Sequence, residues 1–249
     1  MPDGRLLPAE ELKEKLSEPA IELRYLLSKG YKRRNTITFV SNHHRLREQE
    51  RQILSRLVFS PETAEGRIKK KLTCSQLGGC DLFVDGYNVI ISIENVLKNE
   101  LIWLADDGFL RDTCGVFNKH RITDMTLMAV DEMLSTLAAL KVRSVTILLD
   151  SQMSNSGRLA VFIRKKSENT IFKVDVMTSK HVDFDLKKAG EYAVIATADS
   201  VIIDAVNKVV DMMGCWLKQN DKIAKPFNLN VVRDKSLDLT MENGKENGI

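Results

Sequence analysis

The sequence contains few cysteines and prolines, and it contains no long apolar run. Its 249 residues include 4 Cys and 5 Pro, too few cysteines for the dense disulfide framework of a small secreted domain. No apolar stretch approaches the ~20 residues that a membrane-spanning helix requires. The N-terminal residues also lack the basic and then apolar pattern of a signal peptide. These absences predict a cytoplasmic protein that does not insert into membranes.

Cysteine spacing also argues against a zinc site. Only Cys74 and Cys80 lie close together, in the stretch CSQLGGC, whereas Cys114 and Cys215 are isolated. A structural zinc site usually takes four ligands, often from two short-spaced pairs. The histidines at positions 43, 44, 120 and 181 supply no second pair near the first. We therefore expect reduced thiols in a reducing compartment.

Several motifs of nucleotide and phosphate sites are missing as well. The sequence has no G-x-x-x-x-G-K-[ST] loop and no G-x-G-x-x-G after an apolar strand, which argues against a P-loop or dinucleotide site. A phosphatase of the haloacid dehalogenase type would need a second aspartate two residues after Asp85, where Tyr87 stands. The stretch SNSGR at 154–158 is compatible with anion binding at a helix start or with helix capping.

The apolar residues that are present follow an alternating pattern after residue 80. Hydrophobic residues make up 43% of the chain, enough for a sizeable core. The runs DLFVD, VTILLD, FKVDVM and VIATAD alternate with helical segments, and residues 200–218 are predicted as a final helix. Strands that are apolar throughout indicate a parallel sheet covered on both faces. We predict an α/β fold with a Rossmann-like parallel sheet flanked by helices over residues 74–233.

The N-terminal part differs from the rest in charge. Residues 1–73 carry 16 basic and 10 acidic side chains, whereas residues 74–249 carry 21 and 24. Helical periodicity predicts a small basic all-α domain over residues 1–73. Residues 60–79 contain a proline, three glycines and three consecutive lysines, and they are predicted as a linker. Residues 234–249 are polar and aperiodic, which predicts a mobile tail.

Basic residues are concentrated in the middle of this N-terminal domain. Residues 24–56 carry 9 basic and 2 acidic side chains. Such a cluster favours contact with nucleic-acid phosphates, although lysines and arginines also simply solvate helix faces. The candidate phosphate-binding residues are Lys32, Arg33, Arg34, Arg45, Arg47 and Arg51.

Three of the apolar strands end in aspartate, at Asp85, Asp150 and Asp199, and Asp183 and Asp185 begin a short helical segment. One such aspartate is most often the cap of the next helix. Several at one sheet edge repel one another, by about 4 kcal/mol for a pair ~4 Å apart at an effective dielectric of 20. A hard divalent cation such as Mg²⁺ or Mn²⁺ would relieve that repulsion, because it prefers oxygen ligands.

The order VDGYNVI, LLDS, VDFD and ATADS along residues 81–218 resembles the NYN branch of the PIN-like nucleases. The resemblance implies a PIN-like fold and cleavage of RNA with Mg²⁺ or Mn²⁺. By matching positions, it implies that Asp85, Asp150, Asp183 and Asp199 hold the metal and that Asn88 positions substrate or water. The whole chain also resembles an uncharacterised archaeal family that joins a basic helical domain to such a domain.

The chain departs from the NYN pattern after the last motif aspartate. Many relatives carry a second acid two residues later, where this chain has Val201. Asp204 could replace it or could form a surface pair with Lys208. Asp106 and Asp107 also follow an apolar run and could supply a further ligand or form a turn with the next glycine.

Three functions are therefore open at this point. The first is a metal-dependent ribonuclease whose basic domain binds the RNA backbone. The second is a catalytically inactive PIN-like protein that binds nucleic acid or serves as a scaffold. The third is a regulator whose α/β domain binds a small ligand. RNA is the expected partner, with DNA as the alternative, and the oligomeric state, including a homodimer, is open.

Overall fold

The computed structural model describes residues 8–112, 121–220 and 226–229. The helices in these ranges are α1 (Ala9–Ser28), α2 (Arg33–His43), α3 (Glu48–Leu57), α4 (Pro61–Lys70), α5 (Gly86–Leu97), α6 (Asp124–Ala139), α7 (Ser156–Ser167), α8 (Val182–Ala189), α9 (Ser200–Ala205) and α10 (Met212–Gln219). The strands are β1 (Asp81–Asp85), β2 (Ile102–Leu104), β3 (Leu110–Asp112), β4 (Ser144–Asp150), β5 (Lys173–Ser179), β6 (Val194–Ala196), β7 (Val209–Val210) and β8 (Phe227–Asn228). The tail predicted at residues 234–249 lies outside the described residues. None of the helices in the described ranges combines the length and the apolar composition needed to cross a membrane.

A five-stranded parallel sheet forms the centre of the molecule, in the order β5, β4, β1, β6, β7. Successive strand residues face opposite sides of a sheet. Val84 and Ile147 accordingly belong to a core shared with α5, α6, α7 and α10. Leu148 and Ile195 belong to a second core shared with α8 and α9. Helices therefore cover both faces, which confirms the predicted α/β fold with a flanked parallel sheet.

The strand order reverses at β1. The chain runs from β1 through β4 to β5 on one side and then returns to place β6 on the other side of β1. Asp85 is level with Leu148 of β4, and Val84 is level with Ala196 of β6. The carboxyl ends of these three strands thus lie together at a reversal of strand order, which is where open α/β sheets bind their ligands.

Four helices, α1 to α4, precede the sheet and confirm the predicted all-α start of the chain. Their apolar core is not made by the helices alone. Leu16, Leu23 and Leu54 share it with Trp103 of β2 and with Leu229. Strand β2 pairs with β3 and β8 in a small second sheet. This second sheet therefore packs on the N-terminal helices and joins them to the α/β part.

The prediction of a linker over residues 60–79 is wrong for the first half of this range, because these residues form α4. Ser60 Oγ accepts a hydrogen bond from the Thr63 amide at 3.2 Å, and Pro61 occupies the first helical position. A serine cap followed by proline starts a helix, since the proline lacks only an N–H that no helical partner needs. Beyond α4, Lys71 forms a parallel bridge with Val209, so this segment is an integral part of the fold.

The prediction of reduced thiols is wrong for two of the cysteines. Cys74 and Cys215 form a disulfide with their Cα atoms 5.6 Å apart, although 141 residues separate them. Cys80 is a free thiol, and Cys114 lies outside the described residues. The disulfide ties the segment that follows α4 to α10.

Removal of the disulfide is expected to lower the free energy of unfolding by about 2–4 kcal/mol, because closing a long loop restricts the unfolded chain. The measurement is urea denaturation of Cys74→Ala without reductant. Cys80→Ala is the control, since it removes a thiol that forms no disulfide. Equal denaturation midpoints for the wild type and Cys74→Ala would contradict the linkage.

Candidate active site at the carboxyl edge of the sheet

A cleft of about 300 Å³ opens at the carboxyl ends of β1 and β4. Its polar lining consists largely of side chains at strand ends and helix starts. The described residues that line it are Arg56, Asp85, Tyr87, Asn88, Ile91, Ser92, Asp112, Asp150, Met153, Val182 and Asp183. The structure thus brings three of the four aspartates of the resemblance, together with Asn88, to one cleft.

Asp85 ends β1 and is followed at once by Gly86, the first residue of α5. A Cβ atom on Gly86 would lie 2.6 Å from Leu149 Cδ2 and 2.7 Å from the Leu148 carbonyl oxygen. No larger residue fits there, because the start of α5 packs directly on β4. The Asp-Gly pair therefore places a carboxylate at the sheet edge and lets the helix turn away immediately behind it.

The electrostatic surroundings of Asp85 favour its neutral form. Burial raises the pKa of Asp85 to about 7, and the negative charges of Asp199 and Asp183 add to this shift. The Thr197 hydroxyl, which donates to Asp85 Oδ2 at 3.0 Å, and the backbone amide of Asn88 act in the opposite direction. Burial is thus the main cause of the raised pKa of Asp85, and the neighbouring carboxylates add to it.

Asp199 and Asn88 organise the loop that follows β6. Asn88 Oδ1 accepts a hydrogen bond from the Ala198 amide at 2.9 Å. Asp199 Oδ1 accepts from the amides of Val201 at 2.7 Å and Ile202 at 3.3 Å, and so caps α9. Asp199 is not among the described residues that line the cleft, although its charge acts on Asp85. Asp199 lies three residues beyond the end of β6, so the predicted strand-end position is wrong for it, and the structure shows a helix cap there.

The remaining aspartates of the motif differ in their local bonding. Asp150 Oδ1 accepts from the Gln152 amide at 2.8 Å, which shapes the turn after β4. Asp183 lies in the first turn of α8 and lines the cleft. Asp185 Oδ2 accepts from Ser179 Oγ at 2.5 Å and does not line the cleft. Asp150 and Asp183 are thus the two motif aspartates that lie beside Asp85 in the cleft.

Asp112 is a cleft residue that sequence reasoning missed. It is buried at the end of β3, where it accepts hydrogen bonds from Ser92 Oγ at 3.1 Å and Asn95 Nδ2 at 2.9 Å. The only sequence signal is an aspartate after a very short apolar segment. The sequence does not show that this aspartate reaches the cleft, because β3 belongs to the small second sheet. Its packing on α5 brings it to the cleft.

Asp106, Asp107 and Asp204 do not line the cleft. Asp106 and Asp107 form a turn with Gly108, which has a φ of +76°, so the turn interpretation is confirmed. Asp106 pairs with Arg24 through two contacts of 2.8 Å. Asp204 pairs with Arg67 of α4 and not with Lys208.

A buried charge network joins α4 to the α/β part. Asp107 Oδ1 and Oδ2 accept from Arg111 at 2.8 Å each, and Oδ2 also accepts from Arg67 Nη1 at 2.8 Å. Arg67 makes two further bonds, of 2.7 and 2.8 Å, to Asp204. Burial alone would raise the pKa of Asp107, but the hydrogen bonds from Arg111 and Arg67 outweigh it and hold this pKa below its ordinary value. These carboxylates therefore stabilise the junction between the two parts.

The oxygen donors of the cleft suit a hard divalent cation in type, and the cleft carries negative charge for it to neutralise. Within the described residues, however, the strand-end aspartates do not form a set of three ligand atoms within 4.8 Å of one another. The group that meets this distance consists of Glu22, His43 and His44 in the N-terminal helices. His44 Nε2 and Glu22 Oε2 are 2.8 Å apart, which is an ordinary hydrogen-bond distance.

The six candidate phosphate-binding residues lie in different environments. Lys32, Arg34 and Arg45 are exposed. Arg47 is exposed but pairs with Glu50 at its own helix start, and Arg51 Nη2 donates to Asn42 Oδ1 at 3.1 Å.

Arg33 is half-buried and differs from the other five because its guanidinium is bonded to backbone carbonyls of the protein itself. It donates to the Val58 carbonyl at 2.6 Å and to the Ser55 carbonyl, and it lies 4.4 Å from the centre of the Phe59 ring. Burial and the charges of Arg67 and Arg111 lower the pKa of Arg33 to about 10, so it stays charged at neutral pH. Arg33 is the member of the set least available to a phosphate.

Residues 15–70 match the family described as protein of unknown function (DUF434). The Uncharacterized protein MJ0935 of Methanocaldococcus jannaschii is 34% identical over 194 residues, which cover 77% of this chain and 91% of that protein. No solved structure matches the chain. Residues 74–215, which contain the whole parallel sheet and every described lining residue of the cleft except Arg56, match the domain of unknown function DUF5616, and the chain belongs to that family.

Proposed function

We propose that the protein is a metal-dependent ribonuclease that hydrolyses phosphodiester bonds in the cleft at the carboxyl edge of the parallel sheet. One observation carries the proposal. Asp85, Asp150 and Asp183 line the same cleft together with Asn88, at the place where open α/β sheets bind ligands. The raised pKa of Asp85, caused by burial and by nearby carboxylates, supports this proposal, because carboxylates with perturbed pKa values are concentrated at functional sites.

The donor chemistry determines how such a site would work. Asp85, Asp150 and Asp183 would hold Mg²⁺ or Mn²⁺, which supplies positive charge against the phosphodiester and its leaving oxygen. Asp85 has a pKa of about 7, so in its ionised form it would be one of the carboxylates that hold the cation. Asn88, fixed by its bond to Ala198, offers its amide group to substrate at the cleft wall.

The N-terminal helices would bind the sugar-phosphate backbone of the RNA. Lys32, Arg34 and Arg45 are exposed, and lysine and arginine contacts to phosphates give binding that weakens with salt. Phosphate contacts of this kind carry no sequence specificity of their own. RNA is the proposed substrate because of the resemblance to the NYN nucleases, and DNA is tested beside it.

A catalytically inactive nucleic-acid-binding protein is the second candidate. Val201 occupies the position where many NYN proteins carry another acid, and it is 59% exposed rather than packed in the core. The strand-end aspartates also lie too far apart to bring three ligand atoms within 4.8 Å of one another among the described residues. A protein that binds RNA but never cleaves it would have this arrangement.

The test is cleavage of labelled single-stranded RNA, structured RNA and single-stranded DNA with Mn²⁺ or with EDTA. We expect cleavage of RNA with Mn²⁺ and none with EDTA. Asp150→Asn should lower the rate by about 10²–10³-fold through loss of charge at the site, while keeping the carbonyl oxygen that accepts from Gln152. Asp175→Asn is the matched control, because Asp175 is exposed on β5 away from the cleft.

Either of two results would reject the ribonuclease. Cleavage that persists in EDTA and in Asp150→Asn would point to a contaminating enzyme. An absence of cleavage on every substrate, together with RNA binding that weakens with salt, would favour the inactive binding protein.

A further inference from the structure

We propose that Arg56, in the last turn of α3, binds the phosphate of the bond to be cleaved, so that the N-terminal helices complete the active site of the α/β part. This inference rests on the proposed nuclease function, and it names a residue of the basic stretch 24–56 that is not among the six candidate phosphate-binding residues. Arg56 lines the cleft together with Asp85, Asp150 and Asp183.

The charge of the cleft favours a basic group at the place where a phosphate would bind. Among the described residues that line it, Arg56 is the one basic side chain, whereas four are aspartates. A phosphodiester brings a further negative charge to this surface. Arginine suits the task because its planar guanidinium can donate two parallel hydrogen bonds to phosphate oxygens. Arginine side chains in proteins are in general always charged.

The backbone on both sides of Arg56 is fixed by Arg33. The Arg33 guanidinium donates to the Ser55 carbonyl, one residue before Arg56, and to the Val58 carbonyl, two residues after it. Its ring contact with Phe59 holds the guanidinium between these acceptors. Arg33 therefore joins α2 to the end of α3 at the point where Arg56 enters the cleft.

The turn after β2 fixes the same segment from the other side. The Asp106 amide donates to the Leu57 carbonyl at 2.9 Å, and Asp106 Oδ2 accepts from the Phe59 amide at 3.1 Å. Asp106 is in turn held by Arg24 of α1. Backbone groups at positions 55, 57, 58 and 59 are thus all bonded to other elements, which pre-organises the position of Arg56. Catalytic groups held in this way act without having to be ordered during the reaction.

A purely structural arginine would behave differently from a phosphate-binding one. Loss of a structural ion pair lowers stability and leaves turnover per folded molecule unchanged. Loss of a phosphate contact lowers kcat or RNA affinity and leaves the melting temperature nearly unchanged. The two roles are therefore separated by measuring activity and melting on the same samples.

The experiment compares Arg56→Gln, Arg56→Lys and the control Arg143→Gln in the full-length protein with Mn²⁺. Arg143 is exposed and pairs with Asp81 at the opposite, amino edge of the sheet. We expect Arg56→Gln to lower kcat by about 10²–10³-fold, in the range found for lost transition-state donors. Arg56→Lys should recover part of this loss, because it keeps the charge but not the two parallel donors. Arg143→Gln should stay within twofold of the wild type.

RNA binding gives a second measurement that does not need cleavage. Fluorescence anisotropy with a labelled RNA oligonucleotide in EDTA should show at least tenfold weaker binding for Arg56→Gln and no change for Arg143→Gln. If the wild type cleaves RNA and Arg56→Gln matches it in kcat, the role of Arg56 is rejected and the nuclease stands. If the wild type never cleaves RNA, the nuclease function is rejected, and the binding measurement tests Arg56 by itself. Equal RNA affinities of the wild type and Arg56→Gln would then reject the contact between Arg56 and the phosphate. If Arg56→Gln fails to fold, the lysine variant decides by the same criteria.

Discussion

Asp85→Asn is expected to abolish RNA cleavage and, in the same protein, to increase the free energy of unfolding at pH 8. The rate of RNA cleavage should fall by at least about 10³-fold, because the substitution removes a carboxylate from the centre of the cleft at the carboxyl edge of the sheet. The gain in stability follows from the same feature of the site. Asp85 is held where its charged form is unfavourable, since burial, Asp199 and Asp183 raise its pKa to about 7.

The direction of the pH dependence is fixed by this shift. The folded-state pKa of Asp85, about 7, lies above the ordinary value of 3.8, so the folded protein retains a proton that the unfolded chain has lost between these pH values. The wild type therefore has the full contribution of Asp85 to stability below about pH 4 and loses it as the pH rises to 7. At about 1.4 kcal/mol for each pKa unit, the loss amounts to up to about 4 kcal/mol. Asparagine is neutral throughout and can still accept from Thr197, so the variant avoids this loss.

Urea denaturation in EDTA at pH 4.5 and pH 8 tests the expectation. The advantage of Asp85→Asn in unfolding free energy should be small at pH 4.5, about 1 kcal/mol, and should rise to about 4 kcal/mol at pH 8. Asp175→Asn, which changes an exposed carboxylate, should follow the wild type at both values. A variant that is no more stable than the wild type at pH 8 would show that Asp85 is ionised without penalty, and it would remove the electrostatic support for the site.

Asp107→Asn is expected to cost about 3–5 kcal/mol of unfolding free energy, the range for removing one partner of a buried ion pair. The Asp107 side chain is 0% exposed, and it is the shared acceptor of Arg67 and Arg111. Its loss leaves both guanidinium groups buried with one countercharge fewer. Because Arg67 lies on α4 and Arg111 on β3, the damage falls on the junction between the N-terminal helices and the α/β part.

Asp204→Asn is the matched control for this measurement. Asp204 also pairs with Arg67, but its side chain is 56% exposed, and an exposed partner of this kind contributes less than about 1 kcal/mol. Urea denaturation of both variants at pH 7 compares them directly. Similar, small losses for the two substitutions would mean that water reaches Arg67 and Arg111 and that the network does not depend on Asp107.

Local sequence was sufficient where neighbouring residues decide the structure. The apolar runs before Asp85 and Asp150 gave the strands of the parallel sheet, because such runs are stable only when both faces are buried. The start of α4 is equally local, because Ser60 caps the helix and Pro61 fits its first turn. The predicted linker is wrong there because a proline at the first helical position starts a helix and does not break it. The prediction of one final helix over residues 200–218 is wrong for a different reason. They form α9, β7 and α10, because Val209 and Val210 pair with β6, and a pairing partner outweighs helical periodicity.

The sequence by itself determined the fold class, the all-α start and the strand-end positions of Asp85 and Asp150, since these depend on hydrophobic patterning and on the topology of parallel sheets. Only the tertiary structure decided which of the charged residues meet. It joined Cys74 to Cys215, placed Asp106 and Asp107 in arginine pairs, and brought Asp112 and Arg56 into the cleft. Contacts such as that between Arg67 and Asp204 span 137 residues. Charged side chains on one face of a helix give no sequence signal that distinguishes such partners from solvent.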